Sequence, residues 1–224
     1  MGIPTVEDHV TGIVERGECR TAIDIGCGEH SCLTAYRPRL VTAGADSFEP
    51  AINVSRANNA HDHYIRADVI HDDVSVLLEP FGGIPVDLVT LVGVIEHLPK
   101  ADGYRLLEKC ERLTSKYIVV ETPNGFLDQG PEFGNEYQRH LSGWFEHDFS
   151  GRGYKVFGAT GTKYLRGYMA GPKFNFKGAG MCDIVLARVL RAHSRPRHAF
   201  NLIAIKDVRG VPARHLRVPA PSTK

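Results

Sequence analysis

Two glycines and three aspartates carry the first chemical signal in this 224-residue chain. Ile23-Asp24-Ile25-Gly26-Cys27-Gly28 reads as a short apolar strand running into a Gly-x-Gly turn, where the absence of side chains lets a ligand approach the backbone. Dinucleotide-binding folds use a similar turn but want a further glycine three positions on, and here that position is Ser31. Asp24, two residues before Gly26, would repel a pyrophosphate and would favour a ligand bearing an ammonium and a sulfonium. Asp46 follows Asp24 by 22 residues, where a carboxylate can take two ribose hydroxyls. Asp68 ends the next strand, where it can accept from an adenine amino group. Singly, each has a plainer role: Gly26 and Gly28 as turn glycines, Asp46 and Asp68 as helix caps, Asp24 as a strand-end acceptor. All five at these positions together argue for a nucleoside-bearing cation.

A second set of residues suits proton transfer. His97 closes the run Gly93-Val94-Ile95-Glu96-His97, and His140 lies in a long segment further on. An imidazole titrates in the range a general base for a hydroxyl or ammonium needs. Tyr137 and Glu121 are weaker candidates, and Glu121 also fits a cross-strand partner. His61-Asp62-His63 has the composition of a metal site but precedes a strand expected at the sheet edge, so it reads as surface polarity. The stretch from Gly161 to Tyr168, with Lys173 to Lys177, interleaves cations and aromatics; it can stack bases, grip an anionic sugar derivative or close as a lid.

The elements that must position these residues alternate. Thr5-Val6-Glu7-Asp8 resembles a capping box ahead of Val6, Val10, Ile13 and Val14 at helical spacing. Strands are predicted at 20–25, 40–45, 63–67, 86–92 and 117–121, and helices at 49–59 and 101–113. Such alternation predicts an α/β fold with a doubly wound, mostly parallel Rossmann-like sheet. Ligands then bind at the carboxyl ends of the strands, which gathers Gly26, Gly28, Asp46, Asp68, Gly93 and Val94 on one rim. Further on, 142–150 reads as a helix, 154–159 and 199–206 as strands, and 181–193 as a helix in an insertion between the last two strands. One domain is expected over 1–207, followed by a basic, proline-containing tail at 208–224, poorly ordered or draped on the surface.

The ordered set DIGCG, AGAD, RAD and VDLVTLVGVIEHLPK, spanning about residues 20–125, resembles the motifs of class I S-adenosylmethionine (SAM)-dependent methyltransferases. SAM carries both an ammonium and a sulfonium. The later runs SKYIVVETPNG, NEYQRHLSGW and GYKVFGATG resemble a group of small bacterial and archaeal methyltransferases often encoded among glycan or natural-product genes. The resemblance implies that Gly26, Cys27 and Gly28 hold the methionine part of SAM, Asp46 the ribose and Asp68 the adenine, with Asp24, Gly93 and Val94 beside the methionine. The residues themselves make His97 and His140 the candidates for the base, and Tyr137, Trp144, Lys163 and Arg166, in the segments 124–145 and 161–180, the candidates for acceptor contact. The expected acceptor is a small molecule or glycan, possibly anionic, methylated at oxygen. Two alternatives stay open: an RNA 2′-O-methyltransferase and a non-catalytic SAM sensor. Small-RNA enzymes of that type hold a divalent cation with Glu-x-x-Glu-His and a later His. Gly93 stands where the first Glu should be, so no metal is expected.

Composition sets the outer bounds. At 42% hydrophobic and 24% charged residues the chain reads as an ordinary globular protein. No apolar run is long enough to span a membrane, and the N-terminal residues lack a secretory pattern. Five cysteines without a close pair disfavour a disulfide scaffold and fit a reducing, cytoplasmic setting. Charge is unevenly spread: residues 1–149 carry 12 Lys+Arg against 24 Asp+Glu, and residues 150–224 carry 15 against 2. A basic final third on an acidic body suits an anionic ligand or partner, or packing of one on the other.

Overall fold

The computed structural model describes residues 4–16, 19–131, 135–167, 170–174 and 177–209. The N-terminal helix α1 (Val6–Glu15) forms as its sequence directs. Thr5 accepts from the Asp8 backbone and the Asp8 carboxylate accepts from Thr5 N at 2.8 Å, closing a capping box. Strands β1 (Thr21–Ile25), β2 (Val41–Asp46), β3 (His63–Arg66), β4 (Val86–Val92) and β5 (Thr114–Pro123) follow, separated by α2 (Glu49–Ala57), α3 (Val74–Leu78) and α4 (Lys100–Leu113). Then come α5 (Glu146–Ser150), β6 (Lys155–Thr162), α6 (Ala179–Val189) and β7 (Ala199–Asp207).

The seven strands form one sheet in the order β3-β2-β1-β4-β5-β7-β6. All neighbours are parallel except β7, which runs antiparallel to both β5 and β6. The doubly wound sheet and the insertion between the last two strands are therefore as expected. The chain leaves β1 toward β2 on one side and reaches β4 on the other, so a crevice opens beyond their carboxyl ends.

Both faces of the sheet are covered, which is why the strands read as nearly continuous apolar runs. Ile23, Ile25, Val89, Leu91, Ile118 and Val120 point to the face packed with Leu77, Leu78, Leu106, Leu107 and Cys110. Ala22, Leu88, Tyr117, Val119 and Ile203 point to the other, against Val6, Val10, Ile13 and Val14 of α1. A one-residue slip in β1 would exchange these sets, so the register is fixed by burial on both sides.

Three expectations need correction. The helix predicted over 142–150 is only α5, because Trp144 instead bridges Asn124 and Gly125 in extended conformation. Helix α3 was not foreseen; it is five residues long, too short for a helical period to show. His61 is not surface polarity but is buried against β2, over Gly44. Of the expected tail, Val208 N donates to Lys116 O at 2.8 Å, and residues 210–224 lie outside the described residues, as do Tyr168, Asn175 and Phe176 of the basic aromatic stretch.

Trp144 is fully buried and sits edge-on to Tyr104 and beside Phe149, with Lys100 Nζ 3.8 Å above its ring. Its ring passes so close to α4 that a Cβ on Gly103 would lie 2.3 Å from Trp144 Cζ2. Alanine is the better helix former, yet here Gly103→Ala overpacks a rigid ring. We expect the substitution to cost about 1–3 kcal/mol in chemical denaturation; a stabilised variant would mean the ring does not lie against α4.

Candidate active site

The crevice holds a cavity of ≈ 350 Å³ walled by the carboxyl ends of β1, β2, β3 and β4 and by the segments around 97–102 and 135–141. Its first wall is the Gly26–Gly28 turn. The N–H groups of Gly26 and Cys27 both donate to Ala45 O, at 2.7 and 3.1 Å, which lashes the turn to β2. Gly26 has φ +68°, and a Cβ there would come within 2.5 Å of Val94 Cγ2. Gly28 has φ +53°, and among the described residues beyond its chain neighbours no atom lies within 4 Å of where its Cβ would be; that cradle faces the cavity.

Asp46, at the end of β2, is clamped by backbone. Its Oδ2 accepts from Gly28 N at 2.9 Å and its Oδ1 from Phe48 N at 2.8 Å. Asp68 is exposed on the wall and accepts from Ile70 N at 2.9 Å and His71 Nδ1 at 2.8 Å. Partial burial would raise its carboxyl, but the hydrogen bonds from His71 and Ile70 outweigh this and hold it below the ordinary range. Gly93, with φ +66°, donates to Glu121 O at 3.0 Å and, with Val94, lines the cavity opposite the glycine turn.

Asp24 and Cys27 are not on the wall. Asp24 is buried beneath the turn, its Oδ2 taking Ser31 Oγ at 2.5 Å and its Oδ1 taking Thr90 Oγ1 at 2.6 Å. Burial raises its carboxyl to about 6, against the pull of those two hydroxyls. Ser31, which breaks the dinucleotide pattern, is thus the hydroxyl that holds this carboxylate. His61 Nε2 approaches Asp24 at 4.0 Å, and burial lowers its imidazole to about 4. The Cys27 side chain points into the same buried layer, and desolvation pushes its thiol well up.

At the other end of the cavity, His97 is half-buried on the wall and its Nδ1 donates to Arg139 O at 3.2 Å. That bond leaves Nε2 with the lone pair, and burial lowers the imidazole below its ordinary value. His140 lies behind it, buried, its ring edge-on at 4.8 Å and its Nδ1 donating to Leu127 O at 2.7 Å. Glu96 is buried too, and desolvation raises its carboxyl to about 7 although Thr122 Oγ1 donates to it at 3.0 Å. One carboxylate oxygen of Glu96 and one ring nitrogen each of His97 and His140 lie within 4.8 Å of one another.

The acceptor residues read from the sequence fare unevenly. Tyr137 stands exposed at the mouth of the cavity. Trp144 is core, its Nε1 donating to Ile95 O at 3.1 Å and Ser142 Oγ at 2.9 Å, so it cannot touch an acceptor. Arg166 is spent on Asp183 at 2.5 Å, and neither it nor Lys163 lines the cavity. Among the described residues the wall carries no lysine or arginine but three carboxylates, Asp46, Asp68 and Asp102. Sequence reasoning missed Phe48, Ile70, Leu98, Gln138 and Leu141 on the wall; Phe48 and Ile70 each follow a flagged aspartate by two residues, which was the available signal. Glu121, weighed as a base, instead accepts from Asn201 across β5 and β7 at 2.9 Å.

The glycine turn, the clamped acid and the sheet order are those of the fold of class I, S-adenosylmethionine-dependent methyltransferases. Residues 23–117 match the family model described as a methyltransferase domain. Solved structures of the same fold include magnesium protoporphyrin IX methyltransferase from Synechocystis PCC 6803 with bound SAM, at 13% identity over 90% of this chain and 77% of that one, TM-score 0.50. A SAM-dependent methyltransferase from Archaeoglobus fulgidus aligns at 18% identity over 90% of this chain and 94% of that one, TM-score 0.52. The small RNA methyltransferase HEN1 aligns at 17% identity over 89% of this chain and 24% of that one, TM-score 0.55. No curated protein matches the chain in sequence.

Gly26 tests the cradle. An alanine there meets both a left-handed backbone and Val94, so Gly26→Ala should lose about 1–2 kcal/mol of stability and bind SAM more weakly. Thermal denaturation and calorimetry check this; wild-type values in both would contradict the turn geometry.

Proposed function

We propose that the chain methylates a hydroxyl of a small, partly apolar acceptor, with His97 as the general base. The observation that carries this is His97 itself: the only histidine besides His71 on the described cavity wall, with its Nδ1 committed to a backbone carbonyl and its Nε2 left to accept. Bound SAM supplies a methyl group on a sulfonium, open to in-line displacement. Gly26 and Gly28 give room for its methionine part, Asp46 accepts from the ribose hydroxyls, and Asp68 faces the adenine amino group. Gly93 and Val94 line the side opposite the glycines. Asp24 and Cys27 act from beneath, Asp24 holding Ser31 and thereby the turn. His97 takes the acceptor proton as the oxygen gains the methyl, and Leu98, Tyr137 and Leu141 offer the acceptor a largely apolar seat. Holding the two reactants in a near-attack geometry supplies most of the remaining rate.

The anionic acceptor suggested by the basic final third loses its support, because Lys163 and Arg166 stand away from the cavity and three carboxylates stand in it. A neutral or cationic acceptor suits this wall better. A second reading rests on the Glu96, His97 and His140 cluster: a divalent cation held there would activate a ribose hydroxyl, as in an RNA 2′-O-methyltransferase. The two imidazoles fit such a site, since each donates Nδ1 to a carbonyl and keeps Nε2 for a ligand. Labelled SAM offered to pooled metabolites and to total RNA, each with and without chelator, separates the readings. Transfer to a metabolite that survives chelation supports the first; transfer to RNA that needs added cation replaces it.

Asp46→Ala should weaken SAM binding by about 1.5–3 kcal/mol in calorimetry, the worth of lost charged hydrogen bonds. Unchanged affinity would remove Asp46 from the ribose. His97→Asn should lower kcat about 10²–10⁴-fold while leaving SAM affinity close to wild type. The base must be neutral, and burial lowers its pKa. The wild-type rate should therefore hold through pH 6.5, the ordinary value, and fall only as the pH drops further. A pH–rate profile that falls already above 6.5, or the same acid limb in His97→Asn, would assign the base elsewhere.

A further inference from the structure

We propose that the outer face of α6 docks the protein on an anionic lipid surface. The helix is held to the sheet by one side. Asp183, buried, accepts from Thr162 N at 2.8 Å and Thr162 Oγ1 at 2.9 Å and pairs with Arg166 Nε at 2.5 Å. Ala187, one turn on, is the other buried residue of the helix. With that side fixed inward, the opposite side turns out, and it is mostly apolar with one cation, exposed Arg188: Met181, Val185 and Val189 recur every four residues and are 65%, 51% and 72% exposed. Ile184 widens the stripe. Large apolar side chains aligned along a whole helix and open to water mark a surface that meets something.

Charge selects the occupant. Lys173, Lys177, Arg191, Arg195 and Arg197 are exposed on the segments that lead into and out of α6. From residue 150 to residue 206 the only acid is Asp183, which is buried and paired. A second copy packing face to face would set one arginine cluster against another, and the chain's own residues 210–224 are basic, without an acid. The partner must be negative. It must also accept aliphatic side chains without directed hydrogen bonds, because the stripe offers Met, Ile and Val and none of the Tyr or Trp anchors that dominate protein–protein hot spots. An anionic bilayer meets both demands: basic groups sit at the headgroups and the apolar stripe enters the acyl boundary. The helix lies beside β6, the outermost strand of the sheet. Among the described residues no helix is long and apolar enough to cross a membrane, so the contact is peripheral. It is independent of which acceptor the cavity takes.

Co-sedimentation of the full chain with vesicles tests this. The wild type should pellet with phosphatidylcholine vesicles containing phosphatidylglycerol, less so with phosphatidylcholine alone, and should be released by salt. Val185→Asp with Val189→Asp should lower the partition coefficient more than about tenfold, since two aliphatic side chains can no longer be buried. Arg191→Gln with Arg195→Gln should lower it about 30-fold, the effect of two headgroup-level charges. Both variants should keep wild-type SAM binding and circular dichroism. No binding to either vesicle, or binding indifferent to both double substitutions, overturns the proposal. So does sedimentation velocity showing a wild-type dimer that Val185→Asp with Val189→Asp dissociates, which would make the stripe a self-contact.

Discussion

The indole N–H of Trp144 donates to the Ile95 carbonyl in the dry interior, and the His97 end of the cavity hangs from that bond. It lays the segment after β5 across the turn after β4. Leu141 N and Ser142 N then reach Glu96 O at 2.8 and 3.0 Å, and His97 Nδ1 reaches Arg139 O. The buried groups among these, the Trp144 indole, Ser142 and the Ile95 and Glu96 carbonyls, cannot fall back on water, so losing their bonds would be costly. Tyr137 and Leu141 face the cavity because the segment that bears them is sewn to the segment that bears His97.

The cofactor end is built differently. There the backbone supplies the order: two N–H groups on Ala45 O, two more on the carboxylate of Asp46, and glycines where any side chain would fill the cavity or strike Val94. Beneath it, Asp24 and His61 sit in a dry layer in which desolvation moves each toward its neutral form. Hydroxyls rather than cations satisfy Asp24, so the layer holds the turn without placing a fixed positive charge beneath the cavity.

The glycine-turn half of the cavity was legible in the sequence because its requirements are local. A Gly-x-Gly turn after an apolar strand, and an acid at the end of the next, leave marks within a few residues of one another. The His97 half was not, because its requirements are long-range. Trp144 looked like a contact for substrate, being a large aromatic in the segment after β5, yet its partners are Ile95, Gly103 and Lys100, some 40 or more residues earlier in the chain. Arg166 looked like a free cation because no acid stands near it in sequence; Asp183, seventeen residues on, meets it only when α6 folds back on β6. His61 read as edge polarity since β3 is indeed an edge strand, and only the glycine at position 44 opens the hole that buries it. Alternation of strand and helix carried the sheet through β5, but a five-residue helix has no period to detect, and α3 went unread.

The contact between Gly103 and Trp144 also limits how this sequence can drift. A glycine in the middle of a helix is disfavoured by about 1 kcal/mol against alanine, so mutation would be expected to replace it whenever its neighbour allowed. Here the neighbour does not, since the ring occupies the place of the missing methyl group. The two positions, 41 residues apart, are therefore sterically coupled. A descendant with a side chain at 103 must first have given up the indole at 144, and with it the bond to Ile95 that orders the acceptor loop. The helix glycine is a record, kept in another part of the chain, of what that loop requires.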